Sequence, residues 1–384
     1  MLSPYVVVAG LAASVAVLFY HGVALWLARE MPRLDPTPVG SSSPPSPRVS
    51  VIIAARDEEM DLPATLDHLV RQEGVELEIV VVEGGSHDRT REVIDARSPR
   101  VRRLEEPPLP AGWVGKNWAC WTGAEATEGD WLLFLDADVR LAPTAVRTTL
   151  DWAEREDATL ATIAPRVEMV GWWERLVLPF YIQMVLTYFR APHVNRPSSK
   201  TAMANGQYWL IRRHDYAAIG GHAAVRGSVL EDVAIARRVR REGRRIRLAW
   251  APELATTRMY RNRGELFEGL VKNIHGVEFS AGRQLGFLGG LIGLFWVPLA
   301  VLPLGLATGS LPLTAVGAVL YVALFGKHAA FARAVGAPAR YGLLFPVAVG
   351  FYVVLVVTSL VRGLRGGSVT WKGRAYALDR HRSS

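Results

Sequence analysis

The chain has 384 residues, room for two or three structural units, and half of them are hydrophobic. Its 44 Lys and Arg against 36 Asp and Glu leave a formal charge of +8, with charged residues at 21%. The mixture argues against intrinsic disorder, a collagen-like repeat and a wholly soluble enzyme, and is too charged for a pure membrane bundle. It predicts a water-facing domain joined to membrane segments, and the lone Cys120 excludes an internal disulfide framework and a cysteine-cluster metal site.

Residues 4–28 carry no charge, and roughly 20 apolar residues suffice to span a bilayer. Residues 1–28 therefore read as a transmembrane anchor. Met1 to Tyr5 lacks the basic flank of a cleavable signal peptide, while Arg29 and Arg33 come directly after the apolar run. The positive-inside rule then places the N-terminus outside and the chain beyond Arg29 in the cytosol, as in a multi-pass inner-membrane protein. Residues 29–47 are a Pro/Ser-rich linker.

From Val49 the pattern alternates strand and helix: VSVIIAA, a helix over Met60–Arg71, LEIVVVE, a helix from about Asp88, VRRL, a helix over Lys116–Glu128, then WLLFLDAD. This predicts an α/β domain over 48–285, built on a parallel sheet with helices on both faces. Ligands of such sheets bind beyond the carboxyl ends of the strands, which gathers Arg56, Glu83, Asp136 and Asp138 at one rim. Residues 171–190 are apolar and aromatic but broken by Pro179, which reads as an interfacial helix, with an ordinary core helix as the alternative. Residues 286–361 hold three more apolar stretches, near 287–307, 311–331 and 343–361, before a basic tail over 362–384 containing Arg362, Arg365, Lys372, Arg374, Arg380 and Arg382. Three crossings from the cytosol would put that tail outside, against the positive-inside rule. One stretch is therefore re-entrant or interfacial, and the sequence leaves open which.

Several residues carry chemistry. Asp136 and Asp138, at i and i+2 of a strand, face one side and can share a hard cation, Mn²⁺ or Mg²⁺; the alternative is two solvated acids. Glu83 ends a strand ahead of Gly84-Gly85, where Ser86 or Asp88 can cap the next helix. Gly115-Lys116 opens a helix with a cation at its N-terminus, suited to a diphosphate. Trp118 and Trp121 read as packing residues. Glu231-Asp232 precede a helix, as a cap or as a general base with its neighbour. The arginines from Arg237 to Arg247 read as a solvated face or a surface for anionic membrane lipids rather than for nucleic acid.

Taken in order, VSVIIAARDEE, VVVEGGSHDRT, GWVGKNWACWTGA, LFLDAD and LEDVAIARRV resemble membrane-anchored family 2 glycosyltransferases of the Rossmann-like GT-A fold. GW-x-GK, NGQYWLIRR and RMYRNRGELFEGLVKN are most similar to the bacterial subgroup acting on carotenoid acids and hopanoid-associated lipids. The resemblance implies an inverting hexosyl transfer from a nucleotide-sugar donor, usually UDP-linked, to a membrane lipid such as a carotenoid acid or terpenoid. By position it makes Asp136 and Asp138 the metal and diphosphate motif, with Asp138 the direct ligand. Ala54, Arg56 and Glu58 fall in the first nucleotide loop, Glu83 and Ser86 near the base, Lys116 at the diphosphate, and Glu231-Asp232 at the catalytic acid pair, with Asp232 the base. Two departures stand out. Glu83-Gly84-Gly85-Ser86 replaces Asp-Asp-x-Ser, and Arg258-Met259-Tyr260 lies where processive synthases carry Q-x-x-R-W. The competing readings are a non-lipid exopolysaccharide transferase and a non-catalytic membrane binding protein.

Overall fold

The computed structural model describes residues 4–38, 47–277 and 281–365, together with the strands 368–371 and 374–377. The middle of the Pro/Ser-rich linker and Lys372, Arg380 and Arg382 of the basic tail lie outside the described residues.

The first helix, α1 (Pro4–Arg29), precedes a domain built on strands β1 (Val49–Ala55), β2 (Leu77–Glu83), β3 (Val101–Glu105), β4 (Trp131–Leu135), β5 (Val139–Leu141), β6 (Leu160–Ala164), β7 (Arg166–Val167), β8 (Tyr208–Arg212), β9 (Ile246–Trp250) and β10 (Ala255–Thr257). Its helices are α2 (Leu62–Leu69), α3 (Thr90–Asp95), α4 (Gly115–Glu125), α5 (Ala145–Arg155), α6 (Trp172–Tyr188), α7 (Arg213–Ala218), α8 (Glu231–Arg241) and α9 (Arg263–Gly276). The strands that read as continuous apolar runs are the ones covered on both faces: all five residues of β4 are buried, as are Val49, Val51, Ile52 and Ile53 of β1. α2 starts at a proline-bearing first turn and buries Leu62, Thr65, Leu66 and Leu69, the i, i+3, i+4, i+7 stripe of a helix lying on a sheet.

The seven-stranded sheet runs β3-β2-β1-β4-β8-β6-β9. β3, β2, β1 and β4 are parallel, but β8 is antiparallel to both β4 and β6. The expected all-parallel sheet is thus corrected to a mixed one. A buried apolar strand such as YWLIR has the same composition in either direction, so its orientation is set by the chain path through α6 and not by its own residues. A three-stranded sheet, β5-β10-β7, sits beside the first.

Four helices among the described residues are long and apolar enough to cross a membrane. Beyond α1 these are α10 (Ala281–Leu291), which continues through a π turn at Ile292–Trp296 into α11 (Val297–Thr308), then α12 (Leu311–Ala334) and, after the short α13 (Ala339–Gly342), α14 (Phe345–Leu364). α11 and α12 form a close hairpin: a Cβ at Gly317 would stand 2.5 Å from the backbone of Leu302, the small-residue contact that lets apolar helices approach. α6 is a packed helix. Val177, Leu178, Phe180 and Met184 join one apolar cluster with residues of α1, α9, α12 and α14, so α6 seams the α/β domain to the apolar helices. A hairpin of β11 (Ser368–Trp371) and β12 (Arg374–Ala377) closes the described chain.

Candidate active site

The carboxyl ends of β1, β2 and β4 lie side by side, Ala55 opposite Glu83, as sheet logic requires. Asp136 and Asp138 are there, but β4 ends at Leu135 and the acids occupy the turn into β5. The strand alternation that was to align them therefore does not operate. The turn is fixed instead by Asp136 N–H donating to Gln207 O at 3.1 Å, and Thr257 Oγ1 donates to Asp138 Oδ2 at 2.9 Å.

Lys116, in the first turn of α4, bridges two elements. Its Nζ is 2.7 Å from Asp136 Oδ1 and 2.7 Å from Glu231 Oε1. Burial alone would depress this ammonium, but the Asp136 and Glu231 charges more than offset it and hold it well above the ordinary lysine range. Burial would likewise raise Glu231, and Lys116 overrides it, keeping that carboxyl low. Asp138 and Asp232 behave in the opposite way. Burial and the neighbouring Asp136 charge push Asp138 up to about 7. Burial and the neighbouring Glu231 charge push Asp232 up to about 7. Glu231 and Asp232 stand in the first turn of α8 rather than before it, and Asp232 Oδ1 accepts from Val233 N–H at 2.8 Å. Gly206 lets the chain pass close to this pair: a Cβ there would sit 3.1 Å from Asp232 Oδ2.

These groups line one cavity of about 810 Å³. Ala54, Glu58, Lys116, Asp136, Asp138, Glu231 and Asp232 are all in its wall. Arg56, Glu83 and Ser86 are not among its lining residues. Arg56 Nη1 donates to Gly84 O at 2.7 Å. Glu83 is fully buried and accepts from Ser86 N–H at 2.5 Å and Arg91 Nε at 2.8 Å. Burial opposes its ionisation, but Ser86 and Arg91 win and hold the carboxyl below its usual range. Ser86 Oγ in turn accepts from Asp57 N–H at 3.0 Å, and Thr90 Oγ1 from Glu58 N–H at 2.8 Å. Glu83 and Ser86 thus lace the β2–α3 loop to the β1–α2 loop that presents Glu58. Asp88, not Ser86, serves the start of α3, its Oδ1 accepting from Thr90 N–H at 3.0 Å.

The same cavity also has apolar walls, from Ile182 and Val185 of α6, Phe189 just beyond it, Phe287 of α10 and Tyr352 of α14. α9 adds Lys272 and Asn273 to the wall, and Asn273 Nδ2 donates to Tyr181 Oη at 3.1 Å. Burial and the Lys116 charge hold the Lys272 ammonium below its ordinary value. Gly206, Gln207, Thr257, Tyr181 and Lys272 were not singled out from the sequence. Gly206 and Gln207 fall in NGQYWLIRR and Lys272 in GLVKN, while Tyr181 sits in the apolar stretch 171–190 and Thr257 just before Arg258, none of them in a segment with recognisable chemistry of its own.

Trp113 meets Trp118 edge-on at 5.0 Å and Trp121 at 6.3 Å, and Trp118 and Trp121 pack as expected. Several side chains of the arginine run are tied to other segments, while Arg241 and Arg245 remain exposed. Arg238 donates to Ile219 O at 2.7 Å, Arg240 to Val194 O at 2.5 Å, Arg245 pairs with Asp157 at 3.2 Å and Arg247 with Glu156 at 2.9 Å, while Arg244 pairs with Asp215. These side chains stitch α8 and β9 to the rest of the domain.

Residues 50–220 match the family model for Glycosyl transferase family 2. The chain is 28% identical over 195 residues to the 4,4'-diaponeurosporenoate glycosyltransferase of Staphylococcus haemolyticus (strain JCSC1435), covering 50% of this chain and 52% of that protein. The match thus spans about half the length of that relative. The 4,4'-diaponeurosporenoate glycosyltransferase of Staphylococcus aureus (strain USA300) is 23% identical over 340 residues, covering 86% and 89%. Among solved structures, the mannosyltransferase PcManGT from Pyrobaculum calidifontis, in complex with GDP-Man and Mn²⁺, superposes with a TM-score of 0.55 at 17% identity, over 94% of this chain and 98% of that one. The fold is the Rossmann-like GT-A arrangement.

Proposed function

We propose that this glycosyltransferase, whose family 2 domain occupies residues 50–220, moves a hexose from a nucleotide-sugar donor to a lipid acceptor that reaches the catalytic cluster from the membrane. One observation carries the reading: a single cavity joins the Asp136, Asp138 and Asp232 carboxylates to an apolar limb walled by Phe287 and Tyr352 of the helices fit to cross a bilayer. A soluble acceptor needs no such limb. The names of the two staphylococcal relatives, both acting on a carotenoid acid, favour a carotenoid acid or terpenoid.

The donor set suits a hard cation. Asp136 and Asp138 both face the cavity, and Asp138 is raised toward neutrality by burial beside Asp136, a charge conflict that a divalent ion would relieve. Among the described residues no cage of three or more His, Cys, Asp or Glu forms, so Asp136 and Asp138 would hold Mn²⁺ or Mg²⁺ together with a bound diphosphate. When bound, the ion supplies charge neutralisation to the departing diphosphate. Lys116 adds a fixed cation at the same place, with Asp136 and Glu231 orienting it. The acceptor oxygen forms its bond to the anomeric carbon while the bond from that carbon to the diphosphate oxygen breaks, with inversion. Asp232 takes the proton of a hydroxyl acceptor; a carboxylate acceptor brings none, and Asp232 then only positions it. The catalytic domain faces the cytosol, where nucleotide sugars are made.

The test is a detergent-solubilised assay with radiolabelled nucleotide sugar and total membrane lipid. Label entering the organic extract supports the reading. Label found only as aqueous oligosaccharide overturns it.

A further inference from the structure

α14 is long and apolar enough to cross a bilayer, yet both of its ends belong to the same side. The preceding helix, α12, ends on the α/β domain, where Phe331 packs against the cluster that holds Trp209 and Ile211 of β8. The chain then turns back. Phe345, the first residue of α14, stacks on His328 of α12 with ring centroids 4.1 Å apart and meets Phe325 at 5.0 Å. At the far end Arg362 grips Glu268 of α9 with two hydrogen bonds of 2.6 and 2.9 Å. Glu268 itself lines the catalytic cavity. A helix crossing away from the catalytic side after α12 would carry Arg362 to the opposite face of the membrane, out of reach of α9.

The helix also has two apolar faces. Ala348, Tyr352, Leu355 and Ser359 are buried against the protein, whereas Val347, Val354, Val361 and Leu364 are exposed on the opposite side. At 3.6 residues per turn these sets form two separate stripes. α10–α11 and α12 expose large apolar side chains in the same way, among them Leu285, Leu304, Val319 and Val322.

We infer that α14 is a re-entrant helix in the catalytic-side leaflet, with one face closing the acceptor limb of the cavity and the other lying on lipid acyl chains. The crossings are then α1, α10–α11 and α12, and the chain beyond α14 stays on the catalytic side. This rests on the proposed membrane location of the acceptor and of the apolar helices. It removes the conflict over the basic tail, because Arg362 and Arg365 now fall on the cytosolic side, as the positive-inside rule demands. It also makes α14, through Tyr352, the partition between bilayer and catalytic cavity.

The experiment uses the full chain in a Cys120→Ala background, Cys120 being buried. Single cysteines are introduced at Ser310, in the turn between α11 and α12, and at Ala377, in β12. Intact cells are treated with a membrane-impermeant maleimide. The expected result is Ser310→Cys labelled in intact cells and Ala377→Cys labelled only after permeabilisation. Labelling of both in intact cells means that α14 crosses, and overturns the inference alone. Failure of Ser310→Cys to label in intact cells, with labelling after permeabilisation, overturns the membrane reading and this inference with it. A nitroxide at Val354→Cys in lipid vesicles reads the exposed stripe. Relaxation by oxygen but not by a water-soluble nickel chelate supports a lipid-facing stripe, and the reverse overturns that part.

Discussion

Lys116 Nζ and Glu231 Oε1 meet at 2.7 Å, joining the first turn of α4 to the first turn of α8 in the wall of the candidate cavity. The contact brings together two segments far apart in sequence, GWVGKNWACW and LEDVAIARRV. It also leaves Asp232, the neighbour of Glu231, as an acid whose proton is held by burial and by the Glu231 charge.

That relationship makes a pH prediction. Because burial and Glu231 raise Asp232 to about 7, a hydroxyl acceptor should be glycosylated fully above that pH and progressively less below it, as the base becomes protonated. Glu231→Gln removes the charge that raises Asp232. The acid limb of the kcat profile should therefore move to lower pH, while the maximal rate falls because Lys116 loses one of its two anchors. A pH–rate series on both proteins checks this; an acid limb that moves upward or stays in place separates Asp232 from the profile.

Asp232→Asn keeps the size of the side chain and removes its basicity. With a hydroxyl acceptor kcat should fall by about 10²–10⁴-fold, the range of general-base catalysis, with donor affinity little changed. Collapse of donor affinity would make Asp232 a binding residue. A small effect on kcat would identify a carboxylate acceptor, which carries no proton to remove.

The strand-helix order, the long apolar helices and both acidic pairs were legible because each is written locally: β-branched runs, uncharged spans and adjacent carboxylates. What was not legible depends on partners distant in the chain. Asp136 and Asp138 share a site through a turn held by Gln207 and Thr257, not through strand alternation. Glu83 looks like a ligand-facing acid at a strand end, but Arg91, eight residues downstream in α3, closes on it. Arg238, Arg240 and Arg247 look solvated in the sequence, but carbonyls and a carboxylate of other segments stand beside them. Strand direction at β8 and the return of α14 are likewise properties of the chain path, which residue composition does not encode.

Asp138→Ala removes one of the two carboxylates proposed to hold the cation. Donor turnover should fall to about 1% or less, since a catalytic metal supplies several kcal/mol of charge stabilisation. Excess EDTA on the parent protein should have a comparable effect, reversed by Mn²⁺ or Mg²⁺. Full activity in EDTA would remove the cation from the mechanism and leave Lys116 as the counter-charge to the diphosphate.

The apolar limb can be tested apart from the chemistry. Val185 of α6 lines the cavity and packs against the apolar cluster that holds Trp209 and Ile211 of β8. Val185→Trp puts a large ring into space an acceptor chain would occupy. Slow hydrolysis of the donor by water needs only the polar end and should be unchanged. Transfer to extracted lipid should show KM raised about 10-fold or more, the scale on which an apolar pocket rejects a mis-sized group. Measuring both rates on one preparation distinguishes a blocked limb from a misfolded domain, since misfolding lowers the two together. If lipid transfer persists with unchanged KM while the ring is in place, the acceptor enters by another route and the limb is not its path.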